Sequence, residues 1–94
     1  MNKVYLAGKI TGDDNYKEKF KEVETMLIDQ DCKVMNPAIL PEGFNHDEYL
    51  HICFAMIEVC DTVMFLDDWE DSPGAKAEHD LAKLLDKKII YEVR

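Results

Sequence analysis

The stretch CDTVMFLDDWEDSPGAKAEHDLA, residues 60–82, decides the fold predicted for this chain. Residues 62–66 form a nearly continuous apolar run of strand length, which is typical of a strand covered on both faces. Ser72 then offers a helix N-cap followed directly by proline, and Leu81 and Ala82 continue an apolar stripe at helical spacing. The stretch therefore predicts a central strand, a loop and an amphipathic helix.

Outward from this stretch, strand and helix patterns alternate along the chain. Three more strands are predicted at residues 4–7, 33–35 and 88–93, and two more helices at residues 15–30 and 45–60. The order β-α-β-α-β-α-β indicates a four-stranded parallel sheet with strand order 2-1-3-4, in a single-domain three-layer α/β sandwich of flavodoxin or Rossmann type. A ligand crevice is expected where the winding reverses, between the first and third strands.

Composition limits the chain to one globular domain, which we place from Met1 to Arg94. Apolar residues make up 47% of its 94 residues, enough for one core, and charged residues make up 33%, enough for a soluble surface. No apolar run is long enough for a signal peptide or a membrane span. Twenty acidic against eleven basic residues give a formal charge of −9, which disfavours nucleic-acid and membrane partners.

The cysteines indicate a reducing compartment. Cys32, Cys53 and Cys60 are odd in number and form no CxxC pair, so neither a disulfide framework nor a zinc site is expected. We interpret all three as buried thiols in a cytoplasmic protein.

The loop after the first strand is the first candidate binding element. It consists of Gly8, Lys9, Ile10, Thr11 and Gly12. Its two glycines allow backbone N–H groups to turn toward a phosphate or a sugar, and a lysine and a hydroxyl accompany them. The alternative is a tight turn without a ligand, since the spacing fits neither the dinucleotide nor the P-loop pattern.

Glu78 is the most informative single residue. It shares a helical face with Gly74, Leu81 and Ala82, so its carboxylate points toward the sheet, where burial of the charge is costly. A carboxylate kept ionised near a helix N-terminus is a candidate nucleophile toward the C1′ carbon of a sugar. The alternative is a capping or ion-paired glutamate.

The loop before this helix carries further candidates. Ser72 and Gly74 lie at the helix N-terminus, whose free N–H groups favour an anion such as a 5′-phosphate, although Ser72 as a simple cap is the alternative. Trp69 is placed to stack on a base or to close over the site, or else to join a subunit interface. Four carboxylates flank Trp69, but without regular spacing or paired histidines we predict no metal site.

The second helix offers proton donors. His46, His51 and Tyr49 lie in its first half, near the carboxyl ends of the strands, although single histidines are more often surface or packing residues. Asp61 begins the third strand at the opposite edge of the sheet, and we assign it a structural role.

The sequence resembles the nucleoside 2-deoxyribosyltransferase-like superfamily, in particular its short phage- and prophage-type members of unassigned function. The resemblance covers nearly the whole chain. It rests on VYLAGKITG at residues 4–12 and on the stretch 60–82, with NPAILPEG at residues 36–43 as a weaker third motif. It implies a nucleoside or nucleotide ligand, no cofactor, and a homodimer or higher homo-oligomer.

The resemblance also implies roles for individual residues. Glu78 matches the glutamate that attacks the anomeric carbon of a deoxynucleoside, and Tyr5 with residues 8–12 falls on the loop that faces the sugar and phosphate. Ser72 stands six residues before Glu78, as does the phosphate-binding serine of the nucleoside 5′-monophosphate N-hydrolase branch.

One position departs from the family pattern. Cys53 stands where these enzymes carry an aspartate that protonates the leaving base, and an unperturbed thiol, with a pKa of about 8.5, is a poor general acid. His51 or Tyr49 is a candidate replacement. The sequence thus supports an N-glycosidic-bond enzyme or, alternatively, an inactive nucleotide-binding module; a purely structural domain would leave Glu78 unexplained.

Overall fold

A computed structural model of the chain describes residues 2–93, so the predicted domain limits, Met1 and Arg94, lie outside the described residues. A four-stranded parallel sheet, with its strands in the order β2-β1-β3-β4, forms the middle layer. Its strands are β1 (Lys3–Ala7), β2 (Lys33–Met35), β3 (Thr62–Phe65) and β4 (Lys88–Tyr91). The three α-helices are α1 (Tyr16–Asp29), α2 (His46–Glu58) and α3 (Pro73–Leu84), and two short 3₁₀ helices span Pro37–Ile39 and Trp69–Asp71. The α/β architecture and the strand order confirm the prediction.

The alternation of side chains along β1 divides the core into two layers. Val4 and Leu6 point to one face of the sheet and pack with the buried residues of α1. Tyr5 and Ala7 point to the other face, where they pack with buried residues of α2 and α3. Because successive strand residues face opposite sides, β1 anchors the helices of both outer layers. The same alternation directs Tyr5 toward α3.

The helix starts follow the sequence signals. Asn45 and Glu48 form a complete capping box, with Asn45 Oδ1 accepting from Glu48 N and Glu48 Oε1 accepting from Asn45 N, each at 2.9 Å. Ser72 Oγ accepts a hydrogen bond of 3.1 Å from Ala75 N and so caps α3. Within residues 2–93, no helix has the length and apolarity needed to cross a membrane.

Some expected details differ in the structure. Helix α2 ends at Glu58, before Cys60, and β4 ends at Tyr91. Cys53 and Cys60 are buried, but Cys32 is only half-buried because it lies in the turn between α1 and β2. The carboxylate of Asp61 accepts hydrogen bonds from Lys3 N at 3.1 Å and from the Thr62 hydroxyl at 2.7 Å, as suits a structural role at the start of β3.

Candidate active site

A cleft of about 960 Å³ opens at the carboxyl ends of β1 and β3. We call it the cleft; its walls are the loop after β1, the segment around the first 3₁₀ helix, the first half of α2 and the start of α3. This is the crevice expected where strand order reverses in a doubly wound sheet. Its lining residues from these four segments lie in the ranges 8–14, 37–44, 46–53 and 71–78.

Glu78 is a buried carboxyl group in the wall of the cleft. It lies on the inward face of α3 with Ala75 and Ala82, and only 6% of its surface is exposed. Tyr5 Oη donates a hydrogen bond of 2.7 Å to Glu78 Oε2. Burial raises the pKa of Glu78 to about 7, although hydrogen bonds from Tyr5 and Cys53 act in the opposite direction. Near neutral pH both the charged and the neutral form of this carboxyl group are therefore populated.

Tyr5 and Cys53 complete a buried polar cluster with Glu78. Burial raises the pKa of Tyr5 well above its usual range, and the neighbouring Glu78 charge raises it further. Burial likewise raises the pKa of the Cys53 thiol to about 11, although a hydrogen bond with Tyr5 acts to lower this pKa. Both groups therefore stay protonated at neutral pH, and the Tyr5 hydroxyl donates its hydrogen bond to Glu78.

The loop after β1 approaches β3 at Gly8. A Cβ atom at Gly8 would lie 3.0 Å from Leu66 Cβ and 3.2 Å from Phe20 Cζ, so no larger residue fits without displacement of its neighbours. Gly12 takes a φ of +84°, which glycine adopts without strain. Ile10, Thr11 and both glycines line the cleft, as the sequence predicts.

A lysine that the sequence analysis missed holds this loop in place. The ammonium group of Lys19, on α1, pairs with the carboxylates of Asp13 and Asp68, and the Asp13 contact is 2.6 Å. Asp68 Oδ1 also accepts a hydrogen bond of 3.1 Å from Lys9 N. Burial disfavours the charge on Lys19, but the two carboxylates outweigh this effect and raise its pKa. We call Lys19, Asp13 and Asp68 the clamp, because they join the loops after β1 and β3.

The start of α3 forms the outer part of the cleft. Ser72 and Gly74 both line it, while the Ser72 hydroxyl is engaged in capping the helix. The imidazole of exposed His46 lies beside Gly74, with Cε1 3.9 Å from the position of a Cβ on that residue. Contact between Ser72 or Gly74 and a phosphate stays a prediction.

Three sequence-predicted site residues do not line the cleft. The ring of Trp69 stacks on His79 with centroids 4.4 Å apart and packs against Phe65, because the short 3₁₀ helix turns it toward β4. His51 is exposed on α2 and faces a separate surface depression, since its position on the helix points away from α3. Lys9 contributes its backbone to the clamp while its side chain extends beside Gly12. The structure does not bring these three side chains together with Glu78, and their contacts with a substrate stay predictions.

Tyr49, another predicted proton donor, is engaged in hydrogen bonds within the protein. The Tyr49 hydroxyl lines the cleft but donates a hydrogen bond of 2.5 Å to Pro41 O and accepts one from Phe44 N.

The acidic loop around Trp69 brings no group of metal ligands together. Across residues 2–93, no three His, Cys, Asp or Glu side chains converge on one point.

Solved structures of other proteins share this fold. It shares its fold with the 2-deoxyribosyltransferase of Leishmania mexicana, at a TM-score of 0.77 and 19% identity, over 97% of this chain and 63% of that one. It also matches the 2-deoxyribosyltransferase of Bacillus psychrosaccharolyticus, a biocatalyst for nucleoside synthesis, at a TM-score of 0.71 and 20% identity, over 98% of this chain and 76% of the other. A conserved protein of Enterococcus faecalis V583 matches at a TM-score of 0.67 and 18% identity, over 97% and 62% of the two chains.

The chain belongs to the DUF4406 family, a domain of unknown function, whose model matches residues 2–91. No curated protein matches the sequence. The chain spans 63% of the length of the Leishmania transferase, and at these identities the likeness establishes the fold.

Proposed function

We propose that the chain cleaves or transfers the N-glycosidic bond of a nucleoside or nucleoside 5′-monophosphate, with Glu78 as nucleophile. The observation that carries the proposal is the buried Glu78 carboxyl group, which faces an open cleft and accepts a 2.7 Å hydrogen bond from Tyr5. Such a charge is costly to bury unless it is used. The two deoxyribosyltransferases that share the fold support this assignment.

The proposed reaction has two steps. A Glu78 oxygen forms a bond to C1′ of the sugar while the bond from C1′ to the base nitrogen breaks, and the electron pair leaves with the base. An acceptor, either water or a second base, then forms a bond to C1′ and loses a proton to solvent, and the ester bond breaks to restore the Glu78 carboxylate. The Tyr5 hydroxyl orients the carboxylate through its hydrogen bond.

A second candidate function is a nucleotide-binding module without turnover. It is favoured by Cys53, whose thiol has a pKa of about 11 and is a weak proton donor toward a leaving base. In this alternative, Glu78 and Tyr5 bind the sugar through hydrogen bonds and no covalent intermediate forms.

Base release from a panel of nucleosides and 5′-monophosphates, measured by chromatography, distinguishes these functions. We expect release by the wild-type protein and its loss in Glu78→Gln, which keeps the side-chain size. Glu42→Gln, an exposed position in the cleft wall, is the matched control and should retain release. Thermal stabilisation by a nucleotide without base release would instead support the binding module; base release that survives in Glu78→Gln would exclude Glu78 as nucleophile.

By the same resemblance we propose that the working form is a homodimer or a higher homo-oligomer in the cytoplasm. Light scattering coupled to size-exclusion chromatography tests the oligomeric state: a monomer mass at micromolar concentration would contradict it.

A further inference from the structure

The groups around Glu78 limit the kind of base that can leave. When a bond from C1′ to a neutral base breaks, the base nitrogen takes the electron pair and needs a proton from a nearby acid. When the base is already a cation, as in an N-ribosylpyridinium or an N7-alkylated purine, the same electron pair neutralises it. The first kind of substrate requires a proton donor beside Glu78, and the second does not.

The proton donors next to Glu78 are poorly suited to this task. The Tyr5 hydroxyl already donates to Glu78, and the Tyr49 hydroxyl donates to Pro41 O. The Cys53 thiol, with a pKa of about 11, holds its proton too strongly for an efficient general acid near neutral pH. His46 is exposed and lies beside Gly74. Because Gly74 precedes Glu78 by one helical turn, His46 lies at the entrance of the cleft.

The charge of the cleft also favours a cation. Its described lining contains five carboxyl groups against one lysine, Lys17. These are Asp13, Asp14, Glu42, Asp71 and Glu78. Even with Glu42 paired to Lys17 and Asp13 paired to Lys19, carboxylates remain in excess, and a concave surface of one sign concentrates ligands of the opposite sign.

The walls offer flat apolar surface for such a base. Phe44 and Tyr49 meet edge to face with their centroids 6.0 Å apart, and both line the cleft. Aromatic faces bind flat organic cations through their negative quadrupole. Pro37, Ala38 and Leu40 extend this surface.

We infer that the substrate is a nucleoside with a cationic base, an N-ribosylpyridinium or an N7-alkylpurine nucleoside, a conclusion that rests on the proposed role of Glu78. A Glu78 oxygen bonds to C1′, and the bond from C1′ to the ring nitrogen of the base breaks. Its electron pair stays on the ring and neutralises the positive charge, so a neutral base leaves. Water then bonds to C1′ and loses a proton to solvent as the ester bond breaks.

The test compares matched substrates. Purified protein is incubated with 7-methylguanosine and guanosine, with their 2′-deoxy forms, and with nicotinamide riboside, and the Glu78→Gln rate is subtracted to remove spontaneous cleavage. We expect kcat/KM to be at least about a hundredfold higher for each 7-methylguanosine form than for the guanosine form with the same sugar, and for nicotinamide riboside than for guanosine, in line with the typical value of general acid catalysis. Equal or faster cleavage of guanosine would overturn the inference and leave the role of Glu78 intact.

Three variants, one of them a control, separate this preference from the greater intrinsic lability of cationic nucleosides. Cys53→Asp introduces a carboxylic acid beside Glu78 and should lower the ratio of cationic to neutral kcat/KM by about tenfold or more, whereas Cys32→Ser, outside the cleft, should not. His46→Gln, at an exposed position, should leave the ratio within about threefold of the wild type. A large loss of neutral cleavage in His46→Gln would identify a hidden acid and overturn the inference. If no nucleoside of either kind releases its base, both the inference and the proposed glycosyl chemistry fail.

Discussion

The Tyr5 hydroxyl and the Glu78 carboxyl group lie 2.7 Å apart, although 73 residues separate them along the chain. The contact joins Tyr5, in the middle of β1, to the inward face of α3. Because Tyr5 donates the hydrogen bond, it favours the ionised form of Glu78 and opposes the effect of burial. The protonation state of the proposed nucleophile therefore depends on both residues.

Removal of the Tyr5 hydroxyl should move the pH dependence of the reaction. Since Glu78 must be ionised to attack, kcat/KM of the wild type should rise with pH through about 7 and then level off. In Tyr5→Phe the pKa of Glu78 rises, so the midpoint should shift upward by about one pH unit.

A titration of the Glu78 side-chain carboxyl carbon by NMR measures the same shift without relying on turnover. Tyr16→Phe, a half-buried position in the cleft wall, is the control and should leave the midpoint in place. An unchanged or lower midpoint in Tyr5→Phe would contradict the assigned role of the hydroxyl.

Replacement of Glu78 by the uncharged Gln should stabilise the protein at alkaline pH. Its folded-state pKa of about 7 lies above the ordinary value of 4.5, so the folded state holds the proton more tightly than the unfolded state. As pH rises from 4.5 to 7, the unfolded state ionises first and the stability falls, by a total on the order of 3 kcal/mol. Glu78→Gln should recover about 1–3 kcal/mol of unfolding free energy at pH 8 and nothing at pH 4.

Urea denaturation at the two pH values measures this difference. Glu42→Gln, an exposed position, should show no such change with pH. A Glu78→Gln protein that is less stable than the wild type at pH 8 would show that the carboxylate is not strained by burial.

A methyl group at Gly8 should destabilise the fold. The Cβ of Gly8→Ala would lie 3.0 Å from Leu66 Cβ, an atom close to the backbone of the strand β3 exit that cannot rotate away. We expect a loss of about 1–3 kcal/mol of unfolding free energy, measured by urea denaturation.

Gly74→Ala is the matched comparison for this prediction. A Cβ there meets only ordinary contacts of 3.8 Å or more, and alanine favours the helix, so the variant should be unchanged or up to about 1 kcal/mol more stable. Equal stability of the two alanine variants would mean that the loop after β1 adjusts freely.

Loss of the clamp lysine should loosen the loops after β1 and β3. Lys19→Met keeps the aliphatic stem but removes the ammonium group that bridges Asp13 and Asp68. Because the Lys19 side chain is only 11% exposed, we expect a loss of about 1–3 kcal/mol, below the cost of breaking a fully buried pair. Lys21→Met, with its side chain 71% exposed, should change stability by less than about 0.5 kcal/mol.

Hydrogen exchange at the Lys9 amide measures the local effect of the clamp. This amide donates to Asp68, so its protection should fall in Lys19→Met and persist in Lys21→Met. Unchanged protection in both variants would contradict this role of the clamp and would mean that the loop after β1 is held in place by its glycine turns alone.

The sequence predicts the fold and part of the site for identifiable reasons. Helical spacing fixes which residues share a face, so the inward direction of Glu78 follows from its neighbours on α3. The contact with Tyr5 does not follow, because β1 is buried on both faces and its pattern does not say which face meets α3. Lys19 escapes prediction because it precedes the buried stripe of α1 by one position, and its partners lie 6 and 49 residues away. The direction of the Trp69 side chain does not follow from the sequence, because the turn of a 3₁₀ helix leaves no period there.

The clamp has a consequence for ligand entry. Since one ammonium group fastens the loops that follow β1 and β3, this wall of the cleft is preorganised by the fold. A ligand that settles against it pays little conformational entropy there, and the ordering cost falls instead on the segment around Phe44, which is half exposed.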